Sequence, residues 1–432
     1  MACCAGAGMV IFCWRIWHVA HLYSASSTME AMVMWPVWRF EIKKRNRRWP
    51  VWLLIGVLTA VLAGGFVRLQ QQRSQYVQTY RTQLEKLSHS AVYTLGQELT
   101  AFKQSPAAYS HWFYESLRVR SGEKQGTKAI SGVGWRIPNG DELKGMQLLS
   151  STFLTIKAYQ LMQKRHITPM RPDSLILSAD DLGTVSPDTV KFLRRNNQFF
   201  YEKAWYYIWD LVQQNVVFLL LAVGLIVTGR QWAKEVANCN VHSNWLRLQG
   251  AAFSKQLLVE FGVIGYTLGQ IVFIPIVLMG IIIGIIQGFG ALDYPVVAFG
   301  DTGLGFGPLF IELGQYLGQA LLLSIGLILF LTAVNLVLAD WLRNSWVVTA
   351  LQLILLAVAW IAPPMRYSPL TYFKLDPVIT GTLAKQMDNA QYTTGLGLGV
   401  LIGSSAILIA LMVVSRLIQG WLTQRPAMAV AQ

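Results

Sequence analysis

The stretch that decides the fold is "WPVWLLIGVLTAVLAGGFV", Trp49–Val67. It carries no charge, and it is about as long as a helix must be to cross a hydrocarbon core of roughly 30 Å. Trp49 and Trp52 stand at its start, where an aromatic belt meets lipid headgroups. Immediately ahead runs "RFEIKKRNRR", Arg39–Arg48, with six basic residues against the single Glu41. Basic residues pressed against a span mark its cytoplasmic side. The first span is therefore expected to emerge outside at Arg68, and the rest of the chain is read from that anchor.

Over the whole chain 53% of residues are hydrophobic and only 13% are charged, whereas a soluble domain carries about 25% charged residues. Mean hydropathy is +0.40. The apolar residues are gathered in runs, as in a membrane protein. The net charge of +14 reads as membrane orientation. No basic helix with interleaved aromatics accompanies it, so nucleic acid is not an expected partner. Three of the four cysteines, Cys3, Cys4 and Cys13, crowd the start, and Cys239 stands alone. That argues against a disulfide framework. Residues 1–34 form an atypical extension with no basic region ahead of its apolar part, unlike a signal peptide. We expect translation to start at Met29, Met32 or Met34.

Residues 35–49 make a basic amphipathic segment on the cytoplasmic side. Spans are expected at 50–67, 207–228, 257–287, 313–339, 346–362 and 394–415. Residues 68–206 are polar and of domain size. Tyr76, Tyr80, Leu84, Leu87 and Val92 fall near helical spacing there, and Ser186-Pro187-Asp188 opens a last helix with N-cap chemistry. The loop Gly288–Glu312 has Asp293, Asp301 and Glu312 but no Lys or Arg, which places it outside. Pro275 is the expected kink of the third span. A further outside loop covers 363–393, and 416–432 is a cytoplasmic tail. The expected class is all-α: a polytopic membrane protein of six transmembrane helices, with a mostly helical extracellular domain between the first two and both termini in the cytoplasm of a cell-membrane protein.

No Walker motif, GxSxG elbow or HExxH helix appears, and no span carries paired acids. No catalytic, cofactor-binding or metal-binding residue is assigned, and the chain is not expected to be an enzyme. Glu260 and Asp340 lie near span ends, where a charge can snorkel, and read as structural. Uncharged amides mark a polar path better, because an amide in hydrocarbon must face protein or a wet cavity. Gln213, Gln214, Asn215, Gln270, Gln319 and Asn335 are the translocation-path candidates, with Gln315 and Gln352 of the same kind; each also reads as glue between helices. Gly262, Gly265 and Gly269 permit close packing of the third span. Residues 229–256 interrupt the apolar chain with a charged, amide-rich stretch. We expect a short amphipathic helix and a turn at the cytoplasmic surface, anchored by Trp232, Val236, Trp245 and Leu248.

This layout resembles the membrane subunits of bacterial ABC-2 type transporters, especially Gram-positive permeases with an outer domain between the first two spans. "WRFEIKKRNRRW", Trp38–Trp49, is similar to the amphipathic segment that leads into the first span of that family. Glu235 stands where the family commonly has a Glu after the second span, and Lys255 matches the Lys before the third. "PLTYFKLDPVITG", Pro369–Gly381, is similar to the stretch ahead of the family's last span. In "RLQGAAFSK", Arg247–Lys255, Gln249-Gly250 replaces the family's Pro-Ser-Arg-like turn, and Arg247 is displaced.

The resemblance implies an exporter permease that couples ATP hydrolysis by a separate cassette ATPase subunit to export of a peptide, lipid or drug-like substrate. ATP and Mg²⁺ would then belong to the ATPase, with no cofactor in this chain. Glu235, Trp245, Arg247 and Lys255 are the ATPase-coupling candidates. A homodimer, or a heterodimer with a second permease, is implied, along with membrane lipid. The other readings are a membrane sensor or accessory/immunity protein with an extracellular ligand-binding domain, and a membrane-bound enzyme. A sensor would need an inner output domain, and the sequence has none.

Overall fold

The computed structural model describes residues 49–88, 149–170, 186–237, 253–301 and 306–429, omitting Gln198 and Arg343, with isolated residues in 38–43, 111–115 and 175–183. In chain order come helices α1 (Trp49–Ser88), α2 (Leu149–Lys164), α3 (Pro187–Asn196), α4 (Ala204–Gln213), α5 (Val216–Ala237) and α6 (Phe253–Gln287). Strands β1 (Pro295–Asp301) and β2 (Phe306–Glu312) follow, then α7 (Leu313–Leu342) and α8 (Ser345–Ile361). A 3-10 turn at Pro369–Phe373, the short α9 (Leu375–Ile379) and α10 (Thr382–Gln386), and α11 (Thr394–Ala429) complete the order.

Four helices hold apolar stretches long enough to cross a membrane: Trp49–Gln75, Leu257–Gln287, Leu313–Leu342 and Thr394–Arg416. The bent pair α4–α5 makes a fifth if counted as one broken span, and α8 is a shorter apolar helix. The chain is a helical, polytopic membrane protein. Its outward faces carry Leu53, Val57 and Val61 on α1, Ile285 and Ile286 on α6, and Ile354 and Ile361 on α8, all exposed. In water such a surface invites aggregation; in lipid it is the solvated face. The core lies where α5, α6, α7 and α8 meet, with Leu221, Leu225, Ile264, Leu268, Leu331, Leu336 and Val348 fully buried. Gly224 permits the close approach of α5 to α6, since a Cβ there would lie 2.8 Å from a Leu268 methyl.

The expected all-α class is corrected by an antiparallel hairpin in the Gly288–Glu312 loop. Its register runs from Pro295 opposite Glu312 to Asp301 opposite Phe306. Val296, Val297, Phe299, Phe310 and Ile311 are β-branched or aromatic, the residues that suit a pleated, half-buried surface. The hairpin is clamped from both sides. Leu313 and Gly314 donate to the carbonyls of Tyr294 and Leu292 (2.9 and 2.8 Å), and Phe299 donates to Thr380 O (2.7 Å). Beside that bond Gly381 takes φ 67°, and a Cβ on it would lie 2.1 Å from Phe299 O. Only glycine fits.

Two helices continue past the ends of their apolar runs. α1 is a single 40-residue helix that runs through Val67–Arg68, about 60 Å long. α11 spans 36 residues and absorbs most of the expected tail at 416–432. The residues beyond each apolar run, such as "RLQQQRSQ", are themselves good helix formers, so the end of the apolar run does not end the helix. In the polar part of the chain, α3 starts with Ser186 as N-cap, accepting from Thr189 N. Phe113 and Tyr114 are buried, with Tyr114 stacked on Tyr159 at 3.8 Å. Arg165 binds the Asp293 carbonyl (2.6 Å) and Glu312 (3.0 Å), tying α2 to the hairpin.

Candidate functional site

The expected second span, 207–228, is broken. α4 and α5 meet at 72° across Gln214 and Asn215. Asn215 has φ 55°, a left-handed conformation that Asn tolerates better than any β-branched neighbour. Gln214 N reaches Asp210 O, and Asn215 N reaches only three residues back, to Val212 O. The helix thus tightens and stops. The first N–H groups of α4 have no side-chain cap. Instead Ala204 and Trp205 donate to Gly288 and Phe289 carbonyls (3.1 and 3.0 Å). Tyr207 Oη donates to Leu62 O (2.7 Å), fastening α4 to α1.

Around the break lies a cluster of aromatics and acids. Trp209 packs on Tyr201, Tyr294 and Tyr316 with ring centroids 5.6, 6.0 and 6.2 Å away. Tyr201 Oη donates to Gln213 Oε1 (2.8 Å), Gln214 Nε2 to Asp210 Oδ2 (2.8 Å), and Tyr316 Oη to Asp376 Oδ1 (2.7 Å). Burial pushes the Asp376 carboxyl above its usual range, and the Tyr316 hydrogen bond pulls it part of the way back. Burial, then the charges of Asp210, Tyr294 and Asp376, hold the Tyr201 hydroxyl protonated far above its usual range. Among the described residues neither Asp210 nor Asp376 is paired with a cation. The Trp209 indole N–H and Asn215 Oδ1 are buried without a hydrogen-bond partner.

The opposite end of the bundle is different. Asp340 is buried and takes a bidentate fork from Arg416, with Nε 3.0 Å from Oδ2 and Nη2 on Oδ1. This pair joins α7 to α11. Glu260 is also buried there and engaged. Trp38 of the basic segment packs against Gly262, 3.2 Å from where a Cβ would be, and edge-on to Tyr266. Deeper in, Asn335 and Gln352 are 0% exposed, and neither nitrogen nor oxygen of either side chain has a hydrogen-bond partner. A buried polar group left unmade costs about 1–3 kcal/mol.

The path candidates therefore do not form one line. Gln213, Gln214 and Asn215 belong to the break. Gln319 accepts from Thr394 (3.1 Å) and joins α7 to α11 as interhelical glue. Gln270 reaches only Tyr266 on its own helix (3.0 Å), on the exposed side. Asn335 is the deep one. Glu235 falls on α5 and Lys255 on the first turn of α6, but their side chains lie outside the described residues, as do Trp245 and Arg247 entirely. Tyr316, Asp376 and Arg416 were not singled out by the sequence reading. Their only local signals were an acid three residues after a Tyr-Phe pair and a lone Arg closing an apolar run. Among the described residues no group of three His, Cys, Asp or Glu side chains could hold a metal.

No protein-family model matches the chain, and no curated protein and no solved structure matches it.

Proposed function

We propose that this chain is the membrane-spanning permease subunit of an exporter driven by a separate cassette ATPase. The observation that carries the reading is polar machinery set inside an apolar bundle: a span broken at Asn215 and carrying the buried Asp210 carboxyl, and two deep amides without partners. Polar and ionisable groups at membrane depth are costly and belong to paths and binding sites by default. Broken helices that expose backbone at a polar site are a recurrent device of transporters.

In this reading the chain crosses the membrane six times, with α4–α5 and α8 both crossing. The basic segment before α1 and the Asp340 end face the cytoplasm; the hairpin, α2 and α3 lie outside. The segment after α5, with Glu235, Trp245, Arg247 and Lys255, meets the ATPase, and two permease subunits pair. Nucleotide binding to the ATPase then biases two arrangements of the bundle. The resemblance around Glu235, Lys255 and Pro369–Gly381 supports this assignment.

The test is affinity purification of the tagged chain from its native membranes in mild detergent. A cassette ATPase should come down with it, and reversing charge at Glu235 and Arg247 together should release the ATPase while membrane insertion persists. Recovery of the chain without any ATPase would overturn the reading. A second reading, a signal-carrying accessory protein, draws on the unbroken α1, a rigid rod from the apolar run into the polar part. It predicts that a helix-breaking insertion near Arg68 abolishes response to an outside ligand and leaves no transport to measure.

A further inference from the structure

Several buried polar atoms lack partners, but among the described residues only Asn335 and Gln352 are 0% exposed with both side-chain polar atoms unbonded. Their placement is not scattered. α7 ends at Leu342 and α8 begins at Ser345, and the two helices pack on each other and both on α5. Asn335 lies seven residues before that end and Gln352 seven residues after that start. At a rise of 1.5 Å per residue each sits about 10 Å in from the link between the two helices.

Three threonines on α5, α7 and α8 have already given up their hydroxyl protons. Thr228, Thr332 and Thr349 each donate to the carbonyl four residues back on their own helix, at 3.0, 2.7 and 2.9 Å. The acid of this end, Asp340, is taken by Arg416. α5 meets Gln352 with bare backbone: a Cβ on Gly229 would sit 2.7 Å from Gln352 Oε1 and 3.2 Å from Thr349 Oγ1. No side chain of α5 at that position interlocks with Gln352.

We propose that Asn335 and Gln352 form the recognition pair of a solute site that opens between α5, α7 and α8, and that its ligand presents an amide edge, a donor and an acceptor side by side. A cation would use acceptors only, an anion donors only, and an apolar ligand would leave all four atoms unmade. A carboxamide offers one donor group next to one acceptor, which an amide edge complements with two hydrogen bonds. The site is shut in this conformation, and Gly229 is where α5 parts from Gln352. The inference deepens the transport reading by giving it a solute class, and relies on it only for the movement of that solute.

The experiment uses the full chain in lipid nanodiscs, without ATPase, and reads thermal melting. The probe is the end-blocked tripeptide acetyl-Leu-Ala-Leu-amide; the control is its fully N-methylated counterpart, which has no N–H donor. The probe should raise the wild-type melting temperature by about 3 °C at saturation, and the control should not. Asn335→Leu and Gln352→Met, close in shape, should melt higher than wild type unaided and show no shift with the probe. Variants that melt lower would mean that the amides are bonded within the protein, and would overturn the site. So would an equal shift in wild type and variants, an equal shift by both compounds, or no shift at all. If a variant does not fold, the two compounds on the wild-type chain decide alone. Because no ATPase is present, a failure here is distinct from a failure of the coupling reading.

Discussion

The two ends of the bundle differ in how far their polar side chains are paired: at the hairpin end most are, with Trp209 Nε1 and Asn215 Oδ1 left over, while towards the other end two whole amides are left unbonded. At the hairpin end, Tyr201, Gln213, Gln214, Asp210, Tyr316 and Asp376 are joined in pairs by hydrogen bonds of 2.8 Å or less, and the backbone of the hairpin clamps α7 and the 380 region. Towards the Asp340 end, an ion pair holds α7 to α11, while the buried amides of Asn335 and Gln352 have no hydrogen-bond partner. Hydrogen-bonded pairs in a low-dielectric interior resist rearrangement. Unmatched amides favour any arrangement that pairs them. The comparison makes the hairpin end a frame and the Asp340 end the place where movement is least opposed.

The largest expected effect breaks the frame. Gly381→Ala sets a Cβ against the Phe299 carbonyl in a left-handed conformation, and we predict a loss of about 3 kcal/mol or more. Unchanged melting would show that the clamp is not tight. Next, Asp340→Asn leaves the Arg416 guanidinium, which is partly exposed, without its carboxylate. A loss of about 2 kcal/mol is expected, with part of it recovered when Arg416→Gln is added. A double-mutant cycle in denaturant gives the coupling; additive losses would sink the pairing as the tie between α7 and α11.

Asn215→Val places a β-branched residue at φ 55°, and should cost about 1–2 kcal/mol. If it costs nothing, the break at α4–α5 is not fixed by that residue. The smallest effect is on pH. Asp376 has a folded-state pKa above its ordinary value, so its contribution to stability is fully present below the ordinary carboxylate range and is lost as pH rises through the raised value. Tyr316→Phe should cost about 1 kcal/mol and move that loss to higher pH, because the hydroxyl favours the ionised carboxyl. Asp376→Asn should flatten the profile. Melting against pH for the three chains checks this, and an unaltered slope in Asp376→Asn would assign the titration elsewhere.

Much of the fold was legible in the sequence. The runs at Trp49–Val67, 257–287, 313–339 and 394–415 became helices because length and apolarity leave hydrocarbon-embedded backbone one local way to satisfy its hydrogen bonds. The site was legible only as a list of amides. Gln213, Gln319 and Asn335 look alike in sequence, yet one bonds a tyrosine, one a threonine, and one nothing at all. The hairpin was missed because Val296–Phe299 and Phe310–Ile311 are short apolar runs beside glycines, and their pairing is settled by each other.

By itself the sequence determined that this is a multi-pass helical membrane protein, since transfer of uncharged stretches into lipid is a property of each stretch alone. The tertiary structure decided the rest: that the second span breaks at Asn215, that Asp340 is held by Arg416, that Gly381 lies against Phe299, and that Asn335 and Gln352 are buried without partners. Each of these depends on residues far apart in the chain. A hydrogen bond or an orphaned amide is a relation between groups brought together by packing, and no single stretch of sequence contains it.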